Sequence, residues 1–133
     1  MYAHLTTHSA FSLQEGLTTP SDLLQAALTN GMSALGLTDH NLLTGAIEFY
    51  TACKKNGIQP VIGVEIDLDL GPLSLLSTSL EGWSNLCRLS SMLALRENPE
   101  ACAGYLSHPS SFLGNQVGIS SNESPPPFYL VIL

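Results

Sequence analysis

Basic residues are scarce in this 133-residue chain. Lys54, Lys55, Arg88 and Arg96 stand against 11 acidic residues, and the formal net charge is −7. A protein that binds nucleic acid on its own needs a basic surface to neutralise phosphates. The composition therefore argues against a stand-alone nucleic-acid-binding protein. It leaves open a part of a larger nucleic-acid enzyme whose basic surface lies elsewhere.

Long apolar runs and cysteine pairs are also missing. No run approaches the roughly 20 apolar residues of a membrane span, and the N-terminal MYAHLTTHS has neither the basic nor the apolar segment of a secretory signal. Cys53, Cys87 and Cys102 are odd in number and widely spaced, which predicts core thiols in a reducing compartment rather than disulfides. We expect a cytoplasmic protein without membrane contact.

Motifs for phosphate-binding loops and nucleophiles are absent as well. The glycines at 31, 36, 45 and 57 match no phosphate-loop spacing and are predicted to lie in turns and caps. No G-x-S-x-G sequence occurs. Any chemistry therefore has to come from other residue types.

A strand–loop–helix–strand unit occupies the centre of the chain. Ala34–Thr38 is a short apolar run, Gly45–Asn56 has apolar residues at helical spacing, and Val61–Ile66 is a β-branched run opened by Pro60. Such a βαβ unit predicts parallel strands with a helical crossover. Parallel sheets carry their chemistry at the carboxyl ends of the strands.

Further strands and helices are predicted on both sides of this unit. The predicted helix caps are Thr19, Thr44, and Thr78 with Glu81 at capping-box spacing. The predicted elements are a first strand at Met1–Leu5, a helix from Pro20 ended by Gly31, a third parallel strand at Leu73–Ser77 and a helix at Leu80–Glu97.

The composition changes after Arg96, because no further basic residue occurs. Residues 104–127 are rich in Ser, Gly, Asn and Pro and are predicted to be loosely structured. The final FYLVIL is apolar and favours a strand, which is an aggregation hazard if it has no sheet to join. We expect a partial domain at residues 1–103, an irregular tail at 104–133, and a chain that is a fragment or the product of an altered reading frame.

Histidines and carboxylates provide the main functional signal. His8, Asp39, His40 and Glu65 are predicted at three successive strand ends, and Glu15 follows in the first loop. Imidazole and carboxylate together suit zinc, manganese or iron. Such a site could activate water for attack on a phosphoryl group. The alternative is that each histidine is an ordinary loop or surface residue.

Three other candidates carry a weaker signal. His108 lies in the low-charge tail and is not expected to be a ligand. Asp67 and Asp69 alternate with leucines, which is typical of the solvated face of a strand.

Three ordered blocks of sequence resemble a known family. They are HLTTHSAFSLQEG, LGLTDHNLLTGAIEFYTACKKNGIQPVIGVEI and LSLLSTSLEGWSNLCRLSS. Together, over about residues 3 to 97, they are similar to the N-terminal PHP (polymerase and histidinol phosphatase) domain of the bacterial DNA polymerase III alpha subunit. The resemblance implies an α/β fold, a partial PHP-type distorted (β/α)7 barrel with parallel strands and flanking helices.

The resemblance also implies a metal site that is incomplete here. The family motifs match at His8, Glu15, Asp39, His40 and Glu65, but Thr6 and Pro72 stand where related polymerases commonly have His, and the later ligand strands are absent. A site that lacks ligands binds metal less tightly. The resemblance thus implies weakly bound zinc, manganese or iron, with a metal-free domain as the alternative.

Three functions follow as expectations. The first is a structural PHP module of a replicative polymerase, with the remainder of the alpha subunit and replisome proteins as partners and DNA contacted only through the parent. The second is a metal-dependent phosphoesterase or 3′–5′ exonuclease that uses His8, Asp39, His40 and Glu65. The third is a truncated chain with no independent function. No polymerase active-site residues lie in this sequence, so the chain cannot itself transfer nucleotides.

Overall fold

The computed structural model describes residues 2–68, 71–95 and 129–132. Within these ranges the chain is a small α/β unit with one mixed sheet in the strand order β1-β2-β3-β4. The elements in chain order are α1 Pro20–Thr29, β1 Ala34–His40, α2 Ala46–Lys55, β2 Gln59–Leu68, β3 Gly71–Ser77, α3 Leu80–Leu95 and β4 Tyr129–Ile132.

The central β1-α2-β2 unit forms as the sequence predicts. β1 and β2 are parallel, and their register runs from Ala34 opposite Gln59 to His40 opposite Glu65. Both strands extend two residues beyond the predicted carboxyl ends. The extension of β1 places Asp39 and His40 inside the sheet, opposite Val64 and Glu65, rather than in the following loop.

The direction of β3 differs from the prediction of a third parallel strand. β3 is antiparallel to β2, with Glu65 opposite Ser74 and Leu68 opposite Gly71. Only two residues separate the strands, and a parallel connection needs a crossover of about a dozen residues. The chain can therefore only turn back on itself, and β2 and β3 form a hairpin.

The predicted first strand at Met1–Leu5 is also not formed over residues 2–5. His4 makes a single parallel bridge to Leu35, and the carbonyls of His4 and Thr7 accept the N–H groups of Gly36 and Thr38. Three residues of this segment thus span two residues of β1, so the strand alternation is interrupted, as at a bulge. Gly36 permits the approach, because a Cβ there would lie 1.9 Å from the carbonyl oxygen of Leu5.

Helix capping follows the prediction at α1 and differs from it at α2. The Thr19 hydroxyl accepts the N–H of Asp22 at 3.2 Å, with Pro20 in the first turn of α1. α2 instead has Gly45 at its cap position and no side-chain cap, so Thr44 does not cap it. At α3 the N–H of Gly82 donates to the hydroxyl of Ser79, one residue beyond the predicted Thr78.

The apolar core lies on one face of the sheet, where all three helices pack. Register partners share a face and strand residues alternate, so alternate apolar residues of the three strands lie on the same face: Leu35 and Leu37 in β1, Val64 and Ile66 in β2, and Leu73 and Leu75 in β3. One cluster joins α1, α2 and β1 and the other joins α3 with the β2-β3 hairpin. The first contains Leu24, Ala27, Leu35, Leu37, Phe49, Cys53 and Ile58, and the second Val64, Ile66, Leu73, Leu75, Leu86 and Leu89.

The end of the chain contributes a strand to this sheet. β4, within the apolar FYLVIL segment, pairs in parallel with β3, from Tyr129 opposite Leu73 to Ile132 opposite Leu76. The expected loose structure of residues 104–127 lies outside the described residues, and the domain boundary expected at residue 103 stays a prediction. Among the described helices, none combines the length and apolar character that a membrane crossing requires.

Candidate metal-binding site

The carboxyl ends of β1 and β2 bring two predicted ligands side by side. His40 and Glu65 are register partners, and Asp67 follows two residues after Glu65, on the same face. Adjacent strand residues point to opposite faces, so Asp39 lies toward the helices and His40 lies on the other side of the sheet. The side chains of Asp39 and His40 therefore lie on opposite faces of the sheet.

Two imidazoles and three carboxylates form a chain of direct contacts, here called the histidine cluster. His8 Nε2 lies 3.4 Å from Glu65 Oε1, and His8 Nδ1 lies 3.4 Å from Glu15 Oε2. The other oxygen of Glu15 lies 2.7 Å from His40 Nδ1. His40 Nε2 lies 2.9 Å from Asp67 Oδ2. Glu15 thus bridges both rings, and the cluster runs Glu65, His8, Glu15, His40, Asp67.

The protonation of His40 follows from this setting. Burial of the ring lowers its pKa, but hydrogen bonding to Glu15 and the charges of Asp67 and Glu15 outweigh that effect, and the pKa is raised above its ordinary value of 6.5. The ring is 22% exposed, whereas Asp67 is 72% exposed. The carboxylates consequently favour a charged imidazole, which is not a metal ligand until it loses a proton.

Glu65 is fixed by the neighbouring strand. Its Oε2 accepts a hydrogen bond from the hydroxyl of Ser74 at 3.1 Å, and Ser74 is its register partner on β3. The antiparallel hairpin makes this contact possible, because it places Ser74 directly opposite Glu65. One carboxylate oxygen is thereby oriented, and the other faces His8.

Asp39 is engaged by the loop that follows His8. Its Oδ1 accepts the Ser9 N–H at 2.6 Å and the Ser12 hydroxyl at 2.7 Å, and its Oδ2 accepts the Ser9 hydroxyl at 2.7 Å. All three side chains are almost fully buried. We call this set of Ser9, Ser12 and Asp39 the serine latch. A buried carboxylate needs such donors, because an unpaired one would be very costly.

The loop itself is tightly wound around the latch. The Ser12 carbonyl accepts the N–H groups of Glu15 and Gly16, both at 3.1 Å, and Gln14 has a left-handed φ of 70°. Gly16 packs against the Ser9 carbonyl, where a Cβ would lie 2.1 Å from the oxygen. This turn carries Glu15 to the position between the two imidazoles.

The donor set fits a metal in its chemistry but is not gathered around one point. Imidazoles and carboxylates are ligands for zinc, manganese and iron, and His40 Nε2 is a buried nitrogen without a well-directed hydrogen bond. Across residues 2–68, 71–95 and 129–132, however, no three His, Cys, Asp or Glu side chains converge as a metal site. Thr6 is solvent-exposed. The residues therefore fit a partial site, which would be completed only by rearrangement.

Four of the five predicted site residues meet in the histidine cluster, and Asp39 lies in the latch instead. Sequence reasoning did not single out Ser9, Ser12 and Ser74, and it assigned Asp67 to a solvated face. The high exposure of Asp67 agrees with that assignment, but its contact with His40 does not follow from it. His108, Cys102 and Asp69 lie outside the described residues, whereas Cys53 is fully buried in the core, as predicted.

A groove of about 730 Å³ lies apart from the histidine cluster. It lies between the N-terminal turns of α2 and α3, over the beginning of β2, and includes Ile47, Tyr50, Pro60, Leu80 and Trp83. None of its lining residues belongs to the cluster or the latch. This groove is thus separate from the histidine cluster and the serine latch.

Comparison with known proteins identifies the class first. The family model for the PHP domain matches residues 4–114, and the chain belongs to this family. An amidohydrolase structure from Chromobacterium violaceum superimposes with a TM-score of 0.50 at 23% identity, covering 71% of this chain and 35% of that one. At this identity the likeness concerns the fold alone.

The similar curated proteins are bacterial DNA polymerases. An error-prone DNA polymerase from Symbiobacterium thermophilum is 41% identical over 104 residues, which are 77% of this chain and 10% of the relative. DNA polymerase III subunit alpha from Bacillus subtilis is 38% identical over 99 residues, 69% of this chain and 9% of the relative. The chain thus spans about a tenth of the length of these polymerases.

Proposed function

We propose that this chain is the N-terminal PHP module of a bacterial DNA polymerase III alpha subunit and acts there as a structural part with a partial metal site. The family match and the identity to polymerase subunits support this assignment. Its sheet is then one part of a distorted (β/α)7 barrel. The partners are the remainder of the alpha subunit and the replisome in the cytoplasm, and DNA is contacted through other regions of the polymerase.

The observation that carries the proposal is the pairing of both imidazoles with carboxylates. Each of the four ring nitrogens lies within 3.4 Å of a carboxylate oxygen. A metal ion would have to separate these contacts and displace the proton that the carboxylates favour on His40, which weakens its binding. The exposed Thr6 supplies no imidazole in compensation. His8, Glu15, His40 and Glu65 are the proposed ligands of the weak site that remains.

A calorimetric titration of the full chain with zinc tests this proposal. We expect weak binding by the unaltered protein and an affinity at least about tenfold higher for Thr6→His, because a further imidazole completes more of the coordination shell. Leu5→His, one residue away, is the matched control and should leave the affinity unchanged. Tight binding by the unaltered protein, or an equal gain from both substitutions, would contradict the proposal.

A second function, metal-dependent phosphoester hydrolysis, is favoured by one specific observation. The buried Nε2 of His40 has no well-directed hydrogen bond, so it is available to a metal once Asp67 moves aside. A metal held by the proposed ligands could activate water for attack on phosphorus. The test is hydrolysis of a model phosphodiester with added manganese. His40→Ala should abolish the activity, and activity that survives this substitution would eliminate this function for the site.

A further inference from the structure

The hydroxyl of Ser12 connects the serine latch with the histidine cluster. It donates to Asp39 Oδ1 at 2.7 Å and accepts the backbone N–H of His40 at 3.0 Å. Ser9 is equally buried and also donates to Asp39, but its hydroxyl accepts the N–H of Phe11, within its own loop. Both serines thus contact Asp39 in β1, but of the two hydroxyls the one of Ser12 accepts the backbone N–H of His40 itself.

Ser12 also holds the turn that carries Glu15. Its carbonyl accepts the N–H groups of Glu15 and Gly16, and three residues further along the chain the Glu15 carboxylate contacts His40 at 2.7 Å. One residue therefore connects the backbone of His40 with the backbone of its carboxylate partner. With Ser12 1% exposed, solvent cannot replace either contact.

We propose that Ser12 is the positioning residue of the histidine cluster, and that its hydroxyl fixes the distance between Glu15 and His40. The buried Asp39 carboxylate then serves as the acceptor that orients this hydroxyl. The inference rests on the site proposed above and adds the residue that presets it. Outer contacts of this kind determine how well side chains are placed for binding.

A double-mutant cycle separates positioning from a general effect on stability. Glu15→Gln and His40→Gln are made singly and together, and unfolding equilibrium constants are measured with urea at about pH 6, where a histidine is largely charged. We expect Glu15→Gln to change this constant about threefold more when His40 is present than when it is absent. In a Ser12→Ala background that factor should fall to about one.

Ser9→Ala is the matched control. It also removes a buried hydroxyl from Asp39, so it should lower stability while the threefold coupling between Glu15 and His40 persists. If Ser12→Ala does not unfold cooperatively, Ser12→Cys supplies a weaker donor at the same position and should reduce the coupling in part. Undiminished coupling in the Ser12 variants, or equal loss with Ser9→Ala, would overturn the proposal. The cycle uses no metal, so its outcome is independent of whether the chain binds zinc.

Discussion

Replacing Asp39 by Asn tests how much the serine latch contributes to stability. The carboxylate accepts three hydrogen bonds, two at Oδ1 and one at Oδ2. With Asn, the amide oxygen can keep the two bonds at Oδ1 as neutral ones, which are weaker by about 1 kcal/mol each. The amide nitrogen cannot accept the Ser9 O–H, which loses its buried acceptor at a cost of about 1–3 kcal/mol. The expected loss is about 3–5 kcal/mol.

The assay is unfolding by urea and by heat, each followed by the fluorescence of Trp83, the one tryptophan of the chain. At about 4 °C per kcal/mol, the melting temperature should fall by about 12–20 °C. Asp67→Asn is the matched control, because this carboxylate is 72% exposed, and its loss should stay below about 1 kcal/mol. If Asp39→Asn costs no more than the control, the latch is not a stabilising structure and the reasoning from its hydrogen bonds fails.

Three further predictions concern pH, thiol reactivity and packing. The folded-state pKa of His40 is raised above 6.5, so its ion pairs should stabilise the fold fully below about pH 6.5 and lose that contribution as the pH rises through the raised value. The urea midpoints of the unaltered protein and of His40→Gln should therefore converge at alkaline pH. A difference between the two midpoints that stays constant with pH would contradict the pairing of His40 with the carboxylates. Burial raises the pKa of the Cys53 thiol to about 11. In a protein that carries Cys87→Ser and Cys102→Ser, an aromatic disulfide reagent should therefore modify Cys53 at about pH 8 only after unfolding. Rapid modification of the folded protein would show that the core around Cys53 is open. Gly36→Ala should lower the free energy of unfolding measured with urea by about 1–3 kcal/mol, because the added Cβ would lie 1.9 Å from the Leu5 carbonyl oxygen. An unchanged urea midpoint would mean that residues 4–7 are not packed on β1.

The central β1-α2-β2 unit and four members of the histidine cluster could be predicted from the sequence. Apolar periodicity distinguishes α2 from β1 and β2, and parallel strands bring His40 and Glu65 to the same end. The direction of β3 is harder to predict, because the alternation of apolar and polar residues in a strand is the same whether the strand runs parallel or antiparallel to its neighbour. The short connection after Leu68, which rules out a crossover, carries that information.

The serine latch could not be predicted from the same patterns. Ser9 and Ser12 look like ordinary loop residues, and only the fold shows that the buried Asp39 carboxylate meets them. Strand alternation does separate Asp39 from His40 once β1 is known to continue to His40. The prediction that placed both at a shared metal site treated them as loop residues, for which no such alternation holds.

Metal content measured by mass spectrometry on protein purified without chelators tests the central claim most directly. A structural PHP module whose imidazoles are paired with carboxylates should carry far less than one equivalent of zinc, manganese or iron. His40→Ala, which removes one of the proposed weak ligands, should carry as little metal or less. Near-stoichiometric metal that disappears in His40→Ala would contradict this account and show that the cluster is an assembled metal site.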